Sequence, residues 1–321
     1  MTSLESHLTS LNVDKGLVSL IRVLMDASQG VSRLLRSACV RKTGTANAFG
    51  DEQLSIDVES DALIFHLLRE SKQVSHAASE EQPELRLLSP DGEFSVVFDP
   101  LDGSSIVDCN WTVGSIFGVY RGKSILGKSG RDQVMAAISV YGPRTAFIVA
   151  IPQKKLVLEA SFFPQLNQWM LTNTFLNGIS RVCKSFSPAN LRSTADLPGY
   201  VRLMEEWSSQ KRLTLRYTGG MVPDIAGILI KGNGIFCSPV SQTACAKLRL
   251  VFECAPVALI VETAGGSALT GSSDFEKVLD RIIRSLDDRV GIICGSSDEV
   301  DHAVHVITSL ASYLHMYLDT L

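Results

Sequence analysis

The stretch Phe94–Ser105, FSVVFDPLDGSS, constrains this chain more than any other. Phe94, Val96, Val97 and Phe98 are β-formers in a short run, which predicts a buried strand ending at Asp99. Pro100 removes a backbone donor, Asp102-Gly103 signals a turn, and Ser104 and Ser105 are residue types that open helices. Two carboxylates three residues apart therefore stand at a strand end, beside amides that start a helix. Carboxylate oxygens suit a hard cation such as Mg²⁺, and free amides at a helix N-terminus suit a phosphate. A bare D-x-x-D-G is usually a solvated turn, so the rest of the chain must supply partners before this one carries chemistry.

At 321 residues the chain exceeds one ordinary core and predicts two domains. A net charge of −4 with no basic block argues against nucleic acid as a partner. The longest uncharged stretch, Ala160 to Ser180, carries Asn and Gln throughout, which excludes a membrane span there. Seven scattered cysteines without C-x-x-C spacing, and an N-terminus lacking a basic region before an apolar core, predict a reduced, cytoplasmic protein. A plastid location stays open if a targeting segment precedes this sequence.

Leu17, Leu20, Ile21, Leu24, Val31, Leu34 and Leu35 recur at helical spacing, with Asp14 as a candidate cap. Lys42–Gln53, small and polar, predicts a mobile loop ending near Asp51. A second helix is expected from Ser60. Glu80 and Glu81 follow it; adjacent glutamates are usually surface, but these precede the central strand and a turn can deliver them to its end. Val113–Tyr120 and Thr145–Ile151 read as strands, with Leu156–Ala160 and Trp169–Thr172 continuing a sheet.

Loop-like polarity around Asn173 to Arg181 marks the domain boundary, giving units 1–178 and 179–321. In the second, Asp196 is expected to cap a helix through Trp207. Further helices are predicted over Val222–Lys231, Lys247–Thr263 and Phe275–Leu286, and strands over Gly234–Cys237 and Val290–Cys294. Ser296 with Glu299 reads as a capping box for a last helix. His302 and His305 lie one helical turn apart but lack a third ligand, so they read as ordinary helix residues.

Glu80-Glu81, FDPLDGSS, Arg216-Tyr217 and KLRLVFE (Lys247–Glu253) occur in the order and approximate spacing of the fructose-1,6-bisphosphatase family, which the chain resembles over nearly its whole length. FGDEQL, DGSSIVD, YGPRT, LRYTGGMVPD and LDDR are similar to the branch of that family acting on sedoheptulose 1,7-bisphosphate. The resemblance implies a layered α/β/α/β/α sandwich of two α/β domains. It implies Mg²⁺-dependent hydrolysis of the 1-phosphate of a ketose bisphosphate, using two or three ions that Mn²⁺ can replace. Fructose-1,6-bisphosphatase or dual-specificity activity, and a non-catalytic sugar-phosphate sensor, are the alternatives.

Residue by residue, the resemblance makes Glu80, Asp99, Asp102 and Glu253 metal ligands, with Leu101 offering its backbone carbonyl. Asp57 and Glu81 become the acids that activate the attacking water, and Asp51 an acid on a loop closing over the site. Amides of Gly103, Ser104 and Ser105 would bind phosphate oxygens. Asn190, Arg216, Tyr217 and Lys247 would hold the sugar and its distal phosphate. In the family the arginine reaches a neighbouring subunit's site, which implies a homodimer or higher homo-oligomer.

Three departures matter. Ser238 stands where the fructose enzymes carry a sugar-contacting tyrosine, which favours a longer substrate. Glu93 and Phe94 stand where AMP-inhibited members carry Lys and Tyr, so AMP is not expected to inhibit. Cys39 lacks the partner of the plastid enzymes' cysteine pair, so thioredoxin switching through that pair is not expected.

Overall fold

The computed structural model describes residues 2–37, 42–46 and 52–318. Helices α1 (Leu4–Ser10), α2 (Lys15–Ser37) and α3 (Ser55–Glu70) flank a hairpin of β1 (Lys42–Ala46) and β2 (Glu52–Leu54). An eight-stranded sheet follows. Its strands are β3 (Val74–Ser79), β4 (Arg86–Leu87), β5 (Phe94–Asp102), β6 (Val113–Arg121), β7 (Gln133–Tyr141), β8 (Thr145–Ile151), β9 (Leu156–Phe163) and β10 (Gln168–Asn173), in the order β10-β9-β8-β7-β6-β5-β3-β4.

The second half contributes β11 (Ser185–Pro188), α4 (Pro198–Glu205), β12 (Thr214–Leu215), α5 (Met221–Lys231), β13 (Ile235–Ser238), α6 (Ala255–Thr263), β14 (Ser267–Thr270), β15 (Ile292–Gly295) and α7 (Ser297–Leu318). Its five strands run in the order β12-β11-β13-β15-β14.

Three apolar clusters stack these elements into five layers, α/β/α/β/α. Val96, Phe98, Phe117 and Phe147 pack one face of the large sheet against α1–α3. Val97, Ile116, Ile138 and Ile148 on the opposite face meet α5, α6 and the small sheet. Tyr200, Leu203 and Trp207 join Ile235, Ile293, Val300 and Ala303 beneath α4 and α7. Strands covered on both faces explain why β5 reads as a continuous apolar run rather than an alternation. Among the described residues no helix is long and apolar enough to cross a membrane.

Several local expectations are corrected. The segment expected to be a loop from Lys42 to Gln53 contains the paired strands β1 and β2. Helix α3 starts at Ser55, not Ser60, because Asp57 accepts the Leu54 amide at 3.0 Å and so closes an earlier first turn. Strand β5 runs on through Asp102, with an irregularity in its pairing between Asp99 and Asp102. Only a short 3-10 turn, Ser104–Cys109, follows it.

Asp196 does not cap α4; its carboxylate accepts from Ser241 Oγ, Thr243 Oγ1 and the Thr243 amide, tying down another loop. Pro198 opens that helix instead. The expected helix at Phe275–Leu286 is absent. Its backbone bonds outward, Ile283 N to Lys128 O at 2.8 Å and Gly127 N to Ile283 O at 3.0 Å, so tertiary pairing overrides the helical period. The capping box at Ser296 also fails, because Glu299 instead accepts from Trp207 Nε1 at 2.6 Å and Lys211 Nζ at 2.7 Å. The expected helix from Lys247 begins with a wide π-type turn at Leu250–Cys254 before α6, where Pro256 fits the first turn.

Candidate active site

Strands β3 and β5 are parallel, with Ser79 opposite Phe98, so their C-terminal ends coincide. The Glu80 amide continues the ladder, donating to Phe98 O at 3.1 Å. Glu80 and Glu81 thus emerge beside Asp99, in the position where open α/β sheets gather functional groups. The π-type turn before α6 brings in Glu253. One carboxylate oxygen from each of Glu80, Asp99 and Glu253 lies within 4.8 Å of the others.

Asp99 and Glu253 are buried, and their carboxyls are held well above the usual range, first by burial and then by the charge of Glu80. Three acids in this volume cannot all ionise unless cations neutralise them, and an all-oxygen donor set fits hard divalent ions. Arg249 stands inside the same cluster. Its side chain is buried, its guanidinium pairs with Glu80, and its amide donates to Glu253 Oε2 at 2.6 Å. Sequence reading missed it; the available signal was a basic residue four positions before Glu253 in an otherwise apolar run.

Asp57 projects from the first turn of α3, which Phe65 fastens to β5 through an edge contact with Phe98, centroids 5.1 Å apart. Burial pushes its carboxyl up to about 7, with Glu81 and Glu80 adding to the rise against the bond from Leu54. Its Oδ1 is buried without a hydrogen-bond partner. A buried carboxylate poised near neutrality beside two others has the character of a general base.

Asp102 is anchored differently from the trio. Its oxygens accept the Met221 and Val222 amides at 3.2 and 2.6 Å, so the end of β5 caps α5. Burial raises this carboxyl to about 6 against those two bonds. Gly114 lets α5 approach, since a Cβ there would collide with Val222. Gly103, at φ +86°, turns the chain sharply after Asp102. Ser104 and Ser105, as the first residues of the 3-10 turn, have no carbonyl behind them within the turn to bond. Leu101 is buried, and its amide donates to Asp99 Oδ1 at 2.9 Å.

Asp102 also lines a half-open cavity of about 200 Å³ with Asn190, Tyr217, Ser238 and Lys247. The fold thus gathers three of the four residues expected at the sugar. Arg216 does not line the cavity; it is exposed, and its Nη1 donates to Leu215 O at 3.0 Å. The missed residue here is Arg192, also in the lining. Asp224 was missed too; it accepts the Thr218 amide at 3.0 Å and so holds the turn before α5. Asp51 and Cys39 lie outside the described residues.

Two family models match almost the whole chain, the fructose-1-6-bisphosphatase N-terminal domain over residues 2–174 and its C-terminal domain over 179–308. The chain belongs to the fructose-1,6-bisphosphatase family. It is 44% identical to the chloroplastic sedoheptulose-1,7-bisphosphatase of Triticum aestivum over 93% of this chain and 75% of that protein. It is 37% identical to the class 1 fructose-1,6-bisphosphatase of Pelobacter propionicus over 95% and 93%. A Toxoplasma gondii crystal structure provisionally assigned as a sedoheptulose-1,7-bisphosphatase superimposes with a TM-score of 0.89 at 38% identity, covering 97% of this chain and 99% of that one. The fructose-1,6-bisphosphatase family is metal-dependent, and the acidic trio is a cluster suited to such ions.

Proposed function

We propose that this chain is a sugar bisphosphatase that hydrolyses the 1-phosphate of sedoheptulose 1,7-bisphosphate, giving sedoheptulose 7-phosphate and phosphate. The observation that carries this reading is the position of Asp102. It adjoins the acidic trio and also lines the Tyr217–Lys247 cavity, so one substrate can present a phosphate to each. Similarity to the wheat protein favours the seven-carbon sugar over the six-carbon one.

Glu80, Asp99, Asp102, Glu253 and the Leu101 carbonyl would hold two or three Mg²⁺, with Mn²⁺ as a substitute. When bound, such ions neutralise phosphoryl oxygens and acidify water. Asp57 and Glu81 take the proton of the attacking water, and Asp51 assists them. The amides of Gly103, Ser104 and Ser105 orient the departing phosphate. Asn190, Tyr217 and Lys247 position the sugar and distal phosphate, and Arg216 serves a neighbouring subunit in a homodimer or larger assembly. The two α/β units divide between residues 178 and 179.

Phosphate release from a ketose bisphosphate, abolished by EDTA and restored by excess Mg²⁺, tests this reading. Release that continues undiminished in EDTA would contradict it.

A further inference from the structure

The cavity beside Asp102 contains two cationic side chains, Lys247 and Arg192. Neither has a hydrogen bond or ion pair among the described residues, although carboxylates are numerous on this protein. Two unpaired cations facing one concave space leave a full set of donors for a dianion. Arginine's planar fork suits phosphate in particular.

Arg192 is held in place by its backbone. It lies in the short turn Leu191–Ala195, which follows Asn190 in the left-handed region at φ +48°. Asn190 Nδ2 anchors that conformation by donating to Pro239 O at 2.7 Å and Ala244 O at 3.1 Å. Buried Ser193 returns its amide and its hydroxyl to Asn190 O, both at 2.9 Å, and Tyr200 Oη fixes Ala189 O at 2.9 Å. A rigid turn thus presents a flexible side chain to the cavity. The charge of Arg192 also reaches the phenol of Tyr217, where it works against burial and Asp224, which both raise that group.

Ser238 lies in the same lining, where its small side chain leaves room for a longer sugar. Arg216 is absent from the lining. We infer that Arg192, from the same chain as the acidic trio, is a specificity-determining residue that grips the distal phosphate of the longer ketose bisphosphate. This rests on the sugar-bisphosphatase reading above. Lys247 and the Tyr217 hydroxyl complete the grip. The extra carbon of the seven-carbon sugar carries its phosphate further from the acids, into the reach of the guanidinium.

The test is steady-state kinetics of R192A and R192K with sedoheptulose 1,7-bisphosphate and fructose 1,6-bisphosphate, with calorimetric titration of sedoheptulose 7-phosphate. Arg192 is exposed and unbonded, so both variants should melt with the wild type. For R192A the expected result is a KM for the seven-carbon substrate raised roughly tenfold or more, with kcat changed less than about threefold. The rise is smaller for the six-carbon substrate, product affinity falls in parallel, and R192K lies between. An unchanged KM, an equal rise for both substrates, or a loss confined to kcat would overturn the assignment. Wild-type protein that hydrolyses neither bisphosphate would instead overturn the underlying reading.

Discussion

Asp57→Asn should stabilise the metal-free protein at alkaline pH while removing its activity. Burial, with Glu81 and Glu80 adding to it against the Leu54 amide, lifts this carboxyl from the ordinary 3.8 to about 7. Such a lift corresponds to about 4 kcal/mol of destabilisation once the group is ionised in the folded state. In the unfolded chain Asp57 loses its proton near pH 4, whereas the folded chain keeps it to about 7. The folded state therefore binds more protons in between, and stability falls as pH rises through that window. Asparagine has no charge to lose and can still accept the Leu54 amide. Urea denaturation in EDTA at pH 5 and pH 8 should show the variant gaining about 3 kcal/mol on the wild type between the two. Phosphate release with Mg²⁺ should fall at least ~100-fold, because the amide cannot take a proton from water. A variant that tracks the wild type at both pH values would refute the burial argument.

AMP at millimolar concentration should leave activity unchanged. Glu93, which stands where the resemblance puts the lysine of AMP-inhibited members, is an acid paired with Arg121, itself 3.9 Å from Asp14, so two carboxylates there would repel a nucleotide phosphate. Micromolar inhibition would show this wrong. Arg216→Ala and Asp99→Asn should each be nearly inactive alone, yet regain activity when dissociated and reassembled together, because the mixed assembly contains intact sites. A mixture no more active than its parts would place Arg216 outside the neighbouring site.

Two α/β halves and a strand end rich in acids were legible in local strings, whereas the five-layer arrangement followed only from the family resemblance. FSVVFDPLDGSS reads as a strand end with its acids, and Glu80-Glu81 precedes it at a distance one strand and turn can span. Long-range pairing was not legible. Phe275–Leu286 has the spacing of a helix, but its backbone bonds to residues 127–129, a partner remote in sequence. Asp196 and Glu299 look like caps, yet tertiary partners, Thr243 and Trp207, take their oxygens. Arg249 and Arg192 escaped notice for the same reason. Each is an unremarkable basic residue until the fold places one against Glu80 and the other in the cavity beside Asp102.

The most direct measurement compares kcat/KM for sedoheptulose 1,7-bisphosphate and fructose 1,6-bisphosphate, by phosphate release from the purified protein in Mg²⁺ with an EDTA control. A metal-dependent preference for the seven-carbon sugar is the predicted result. Preference for the six-carbon sugar, or no metal-dependent release from either, would contradict it.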